Sequence, residues 1–211
     1  MAVHLRRSNG DTADERIRRG TRLRQELIEA TVRIIAREGT AGVTHRAVTA
    51  EVNAEPGAVV HHFGSRDVLL QQTLEYLMRR QAALLQPYWS QLERHARNPE
   101  AFTDRLCVLA SVMVQGDRDV GIATFELQLA ASRTPELREV LAERGRAFAR
   151  LAEKALTELG STDPRADSAR LINAIGGLLA GQLALPRRDF EERILRPVVH
   201  RLVTAIARPA A

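Results

Sequence analysis

The chain has 211 residues, enough for one or two small domains with a hydrophobic core. Its composition, 45% hydrophobic and 27% charged, is ordinary for a globular protein, and no apolar run approaches the roughly 18 residues of a bilayer span. The net charge of +5 permits a polyanionic partner, and residues 1–24 hold most of it, with seven arginines against three acidic residues.

The start of the chain is polar and non-periodic, so residues 1–20 are predicted to form a disordered basic arm, with an accidental solvated tail as the alternative. No apolar segment of a secretory signal is present. The only cysteine, Cys107, excludes an internal disulfide and is compatible with a reducing compartment. We therefore expect a cytoplasmic protein with no membrane partner.

The first three predicted helices form an N-terminal unit, expected over residues 21–66, and a fourth follows it. Thr44 is the predicted N-cap of a short second helix, and Pro56 opens a third. Ser65 caps a fourth, which Pro87 should kink or end. The first helix is indicated by an apolar stripe with the helical period, formed by Leu23, Leu27, Ala30 and Ile34.

The fourth helix begins a larger unit, residues 67–211, in which five further helices are predicted. The fifth spans about 99–116, the seventh begins at Thr134, and the last two cover about 165–184 and 189–207. No segment shows a convincing alternation of polar and apolar residues. The fold class is therefore all-α, with about nine helices. The sixth helix is expected to hold Ile122, Phe125 and Leu129.

The second and third helices carry the functional signal. Two helices of about two turns each, joined by a tight turn, make a helix-turn-helix. In this motif the first helix braces against phosphates, and the second lies in the major groove of double-stranded DNA. The sequence alone therefore predicts a helix-turn-helix followed by a larger helical domain.

The segment from Arg24 to Leu77 resembles the DNA-binding domain of the tetracycline-repressor family from end to end. The positions that carry the resemblance are Gly39, Thr44, Ala47, Val48, Gly57, His62, Phe63, Ser65, Arg66, Asp67, Leu69 and Leu70. The family pattern implies an all-α homodimer whose variable C-terminal domain binds a small effector. It also implies that the last two helices form the dimer interface.

Ten residues are predicted to contact DNA. Thr44 offers a hydroxyl to a phosphate, with a plain N-cap as the alternative, and Arg66 resembles the family's basic phosphate contact. Ala58 and Val59 could meet thymine methyl groups, although Val59 could equally belong to the core. The full set is Thr44, His45, Arg46, Glu55, Gly57, Ala58, Val59, His61, His62 and Arg66.

The chain departs from the family pattern at four positions. Asn53 replaces the usual glycine and still tolerates the turn, and Glu55 replaces a serine or threonine cap. Val60 and His61 occupy positions where the family places tyrosine, whose hydroxyl commonly donates to a phosphate. His61 could donate from a ring nitrogen, whereas Val60 cannot.

No catalytic residues, metal site or cofactor are predicted. His61 and His62 point about 100° apart on a helix, so they do not share a face as ligands of one ion would. We also find no nucleophile elbow, phosphate loop or pair of catalytic carboxylates. An enzyme with a helical DNA- or RNA-binding appendage is the alternative that this absence disfavours.

The larger unit is predicted to hold an effector site and a dimer interface. Aromatic residues are only 4% of the chain, so an aromatic cage for planar cationic drugs is not indicated. Candidate effector contacts, with ordinary core packing as the alternative, are Trp89, Phe102, Met113, Phe125, Gln128, Phe148 and Asn173. Candidate interface residues are Leu171, Ile175, Gly177, Leu178, Gly181, Ile194, Val198 and Leu202.

Taken together, these patterns predict a homodimeric transcriptional repressor that binds a pseudopalindromic operator and releases it when a small molecule binds. The fourth helix would be the lever, because it joins the DNA-binding unit to the effector site. The alternative is a constitutive DNA-binding interaction protein that has no small-molecule ligand.

Overall fold

A computed structural model describes residues 9–207, with side chains from residue 14 onward. Within that range it contains nine α-helices and no strand, which confirms the all-α prediction. None of the helices there has both the length and the hydropathy that a bilayer span requires. The helices are α1 (Asn9–Glu38), α2 (His45–Glu51), α3 (Ala58–Phe63), α4 (Arg66–Arg94), α5 (Pro99–Gln115), α6 (Arg118–Ala130), α7 (Pro135–Leu159), α8 (Pro164–Ala184) and α9 (Arg196–Ala207).

Helix α1 begins earlier than the sequence pattern indicated. Residues 9–20 belong to it, so the prediction of a disordered arm is wrong for this part, while residues 1–8 lie outside the described residues. Arginine and glutamate are good helix formers, and Glu15 pairs with Arg19 one turn later, with 3.2 Å between Oε1 and a guanidinium nitrogen. The polar segment therefore extends a helix that the apolar stripe nucleates.

The predicted N-caps of α2 and α4 are confirmed, whereas Pro56 does not open α3, which begins at Ala58 after the N-cap residue Gly57. Thr44 Oγ1 accepts the N–H of Ala47 at 3.1 Å, and Ser65 Oγ accepts the N–H of Val68 at 3.2 Å. Asn53 adopts the left-handed conformation with φ of 53°, and ends α2 as expected. Gly64 follows α3 with φ of 75°, a conformation that side chains rarely adopt.

Pro87 does not end α4, because the helix continues to Arg94. Proline lacks the N–H that would bond the carbonyl of Ala83. Both Ala83 and Pro87 are exposed, so water can satisfy that carbonyl. Helix α4 is therefore one long element that reaches from the N-terminal unit into the larger one.

The core has two parts, and α4 contributes to both. The first half of α4 packs with α1, α2 and α3 and with parts of α6 and α7. Its second half packs with α5, α7, α8 and α9. We call α1, α2, α3 and the first half of α4 the reading head.

Helix α6 is the main support of α1 outside the reading head, and the packing between these two helices is extensive. Ala123 and Leu127 of α6 are fully buried in the first core. Leu129 lies on α6 as predicted, and its side chain is 61% exposed. The inward face runs through Ala123 and Leu127, four residues apart.

Candidate nucleic-acid interface and ligand cavity

Helices α2 and α3 pack on α1 through a small apolar core, which fixes the faces that they leave open. Val48 of α2 and Val59 and Phe63 of α3 are buried in this core. Because Val59 and Phe63 are one turn apart, the opposite side of α3 is free. The helix-turn-helix therefore presents a defined outward surface.

This outward surface is formed by residues of the first turn of α2 and of the free side of α3. Thr44 and Arg46 are exposed on α2, so that a hydroxyl and a guanidinium are available to phosphates. The remaining exposed members are Asn53, Glu55, Pro56, Gly57, Val60 and His61. Five of the ten sequence-predicted contacts, Thr44, Arg46, Glu55, Gly57 and His61, are brought together here.

Two predicted base contacts are wrong in this structure. Val59 is 0% exposed and Ala58 is also buried, so neither methyl group can reach a thymine. The side chain that takes this place is Val60, which is 51% exposed at the middle of α3. The burial of Val59 could have been predicted from its spacing to Phe63, since a residue four positions before a core phenylalanine lies on the same face of the helix.

The three histidines of the predicted site differ in accessibility. His45 is half-buried, and its Nε2 atom is enclosed without a hydrogen-bond partner, so this nitrogen does not face outward. His62 is also half-buried; burial lowers its pKa, and the neighbouring His61 and Arg24 lower it further. His61 is exposed and is the histidine best placed to donate to a phosphate.

Arg66 is engaged within the reading head rather than open to a phosphate. Its Nε donates to the carbonyl oxygen of Val43 at 2.7 Å, and a terminal nitrogen donates to the carbonyl oxygen of Thr40. A further contact of 3.6 Å joins it to the carboxylate of Asp67. The prediction of a phosphate contact is therefore corrected, because Arg66 ties α4 to the turn that precedes α2.

Replacing Arg66 with glutamine is expected to lower the free energy of unfolding by on the order of 1–2 kcal/mol, because two charge-assisted hydrogen bonds are removed from a half-buried site. Urea denaturation of the purified protein measures this. Arg46→Gln is the matched control, since Arg46 is exposed and should leave unfolding unchanged. Wild-type stability in Arg66→Gln, together with weaker DNA binding, would restore the phosphate role.

A second set of contacts holds α1 to α2. Glu51 of α2 accepts from Arg33 at 3.0 Å and from Arg37 at 3.1 Å, both on α1. The hydrogen bond from Arg37, followed by that from Arg33, lowers the pKa of Glu51 below its usual range. The carboxylate is therefore ionised at neutral pH and helps to orient α2.

A cavity of about 850 Å³ lies in the larger unit, between the second half of α4 and helices α5 to α8. The seven residues predicted to contact an effector, Trp89, Phe102, Met113, Phe125, Gln128, Phe148 and Asn173, all line this cavity. Half of the eight aromatic residues in the chain are among them. Low aromatic content therefore does not prevent a local concentration of aromatic surface.

The cavity walls are largely apolar, and the charged groups in them have partners. Trp89 and Phe148 meet edge to face, with ring centroids 4.9 Å apart. Glu93 accepts from Lys154 Nζ at 3.0 Å, and Arg144 donates to the carbonyl oxygen of Met78 at 2.7 Å. The polar groups that remain for a ligand include the amide of Gln128 and the Oδ1 atom of Asn173, whose Nδ2 donates to the carbonyl oxygen of Ala169 at 2.8 Å.

The predicted interface residues divide into three groups. Leu171 and Ile175 are 4% and 8% exposed, pack in the second core and line the cavity, so their assignment to a dimer interface is wrong. Gly177 and Gly181 are exposed, and a Cβ at either would meet nothing within 4 Å. The others are half-buried and comprise Leu178, Ile194, Val198 and Leu202, of which all but Val198 pack against the second core.

Among the side chains that the structure describes, no three histidine, cysteine or acidic residues lie together as a metal site would require. His61 and His62 are adjacent, with ring centroids 5.0 Å apart and planes at 75°. Cys107 is buried, and burial raises the pKa of its thiol to about 11. It is therefore protonated at neutral pH and unreactive.

Comparison with known families matches both units of the chain. Residues 27–73 match the family described as bacterial regulatory proteins of the tetR family. Residues 97–206, just over half of the chain, match the tetracyclin repressor-like C-terminal domain. The two matches cover the helix-turn-helix and most of the helices around the cavity.

Individual relatives agree with these matches. The HTH-type transcriptional regulator BetI of Burkholderia thailandensis is 35% identical over 72 residues, which is 34% of this chain and only 33% of the relative. The multidrug binding protein EbrR, solved with imidazole, is 29% identical, with a TM-score of 0.68 over 90% of this chain and 93% of its own. A TetR-family member from Streptomyces coelicolor is 27% identical, with a TM-score of 0.69 over 85% and 96%.

Proposed function

Since the chain belongs to the tetracycline-repressor family of transcriptional regulators, we propose that it is a homodimeric repressor that releases its operator when a small molecule binds to it. The observation that carries this proposal is the continuity of α4. Its first half packs in the reading head, and its second half lines the cavity. A ligand that favours one position of α4 therefore also favours one position of the reading head.

Helix α6 supports the same coupling from a second side. Phe125 and Gln128 line the cavity, whereas Ala123 and Leu127 pack in the core against α1. A shift of α6 around a ligand would reach α1 directly. The mechanism is a population shift, in which the ligand stabilises a dimer whose reading heads are spaced wrongly for successive major grooves.

The cavity favours a largely apolar ligand with a planar aromatic part. Trp89 and Phe148 provide aromatic faces. Glu93 is paired with Lys154, and Arg144 donates to the carbonyl oxygen of Met78. EbrR has been solved with ethidium and with proflavin, at 28% and 30% identity and TM-scores of 0.64 and 0.57. A lined cavity of about 850 Å³ also argues against a constitutive DNA-binding protein without a ligand.

The proposal is tested by selecting bound duplexes from a random-sequence library and footprinting the selected DNA. The expected site has two inverted half-sites, separated by about 34 Å or a multiple of this distance, and affinity should fall steeply with added salt. Proflavin and ethidium then serve as probes for release. A single unpaired half-site, or release by neither probe, would contradict the dimeric and ligand-responsive parts respectively.

Phe148→Leu sharpens the ligand test because it removes an aromatic face while retaining an apolar side chain. Proflavin binding should weaken about threefold to tenfold, as expected when one aromatic neighbour of the ligand is removed. Phe190→Leu is the matched control, since Phe190 is buried in the second core but does not line this cavity. Equal affinities in both variants would place the probe elsewhere.

A further inference from the structure

The N-terminal part of α1 carries a cluster of exposed arginines outside the packed reading head. We call residues 14–22 the arginine segment. Its side chains are exposed except at Gly20, which is half-buried, and none belongs to either core. It contains two acidic residues against four arginines, Arg16, Arg18, Arg19 and Arg22. No contact within the reading head accounts for this concentration of positive charge.

Arg24 fixes where this segment leaves the reading head. Its guanidinium carbon lies 5.3 Å from the ring centroid of Phe63, the last residue of α3, and it donates to Gln72 of α4. At 1.5 Å per residue, Arg16 lies about 12 Å further along the helix axis. The arginine segment therefore continues α1 beyond the point at which this helix contacts the last residue of α3, the helix expected to enter the major groove.

Two of the arginines lie on the face of α1 that contacts α2 further along the helix. Arg19 and Arg22 follow the same spacing of three and four residues as Arg33 and Arg37, which contact Glu51 of α2. They therefore lie on the α2 side of the helix. Since α2 is the helix that braces against phosphates in this motif, this side leads toward the DNA backbone.

The ion pairs within the segment leave these arginines available. Arg19 pairs with Glu15 and Arg22 with Glu26, and all four side chains are at least 40% exposed. Exposed pairs of this kind contribute little free energy, so a phosphate can replace the carboxylate. Arginine can bind phosphate with two parallel hydrogen bonds, whereas Arg22 makes one to Glu26, from Nε to Oε1 at 2.8 Å.

We propose that the arginine segment is a second DNA-binding surface, which contacts backbone phosphates beside the half-site and adds affinity without sequence information. The proposal rests on the proposed function as a DNA-binding regulator. It extends the interface beyond the helix-turn-helix along a continuous face of the same helix.

The test replaces Arg16, Arg18, Arg19 and Arg22 together with glutamine, which preserves helix propensity. The matched control replaces four exposed arginines elsewhere with glutamine, namely Arg133, Arg146, Arg150 and Arg165. Both variants lose the same charge. Binding is measured against salt concentration on two probes, a duplex selected by the wild-type protein and a duplex of scrambled sequence.

The arginine-segment variant should bind both duplexes more weakly, with the preference between them unchanged. Its slope of log affinity against log salt should fall in magnitude by about 0.9 for each phosphate that the variant no longer neutralises, whereas the control should keep the wild-type slope. Equal slopes in the two variants would overturn the proposal. If the wild-type protein selects no sequence, the proposed function fails, and the scrambled duplex still decides whether this segment binds phosphates.

Discussion

Gly181→Leu is expected to give a folded protein that sediments as a monomer and no longer binds its operator. Within one chain the change is harmless, because a Cβ at Gly181 meets nothing within 4 Å. In a dimer built on α8 and α9, each copy presents the same patch to the other, so the substitution enters the interface from both copies. Overpacking of a tight contact costs roughly 1–3 kcal/mol at each site, and the symmetry applies it twice.

Analytical ultracentrifugation and circular dichroism together decide this prediction. Helicity should be retained while the dimer dissociates, and operator affinity should fall because two reading heads are no longer held together. Ala142→Leu is the control, since Ala142 is exposed on α7 and does not line the cavity. A dimeric Gly181→Leu protein with normal operator affinity would place the interface elsewhere.

Val59→Ala and Val60→Ala are expected to affect different properties, stability and base preference, although the two residues are neighbours on α3. Val59 is fully buried, so its truncation should cost about 2–3 kcal/mol of unfolding free energy. Val60 is exposed, so its truncation should leave stability unchanged but alter the base preference at one step if its methyl groups reach a thymine.

Urea denaturation and binding to duplexes that differ at one base step separate these outcomes. Each variant serves as the control for the other, because the chemical change is identical. If Val60→Ala destabilises the protein and Val59→Ala does not, the orientation of α3 described above is wrong. If Val60→Ala changes neither property, Val60 faces the groove without reading a base.

Features encoded by local geometry could be predicted from the sequence. Thr44 and Ser65 cap helices through contacts three residues away, and Asn53 adopts a positive φ that its own side chain tolerates. The grouping of Trp89 and Phe148 around one cavity also followed from their positions on predicted helices. Such inferences require only the helical period and the cap chemistry.

Features that depend on distant partners could not be predicted. Arg66 meets carbonyl oxygens of Thr40 and Val43, more than twenty residues earlier, so its spacing alone suggested a free cation. Leu171 and Ile175 lie on an apolar face of α8, and a sequence does not state whether such a face meets its own chain or a second copy. Tertiary packing settles both questions.

The single tryptophan of the chain, Trp89, gives the cavity a spectroscopic consequence. Indole emission depends strongly on the polarity around the ring and on nearby aromatic acceptors. Because the chain has one tryptophan beside two tyrosines, fluorescence excited selectively at the indole reports from the ligand cavity alone. Changes in the tryptophan emission of the native chain therefore report ligand binding, and unknown compounds can be screened without a dye, a fusion or an operator sequence.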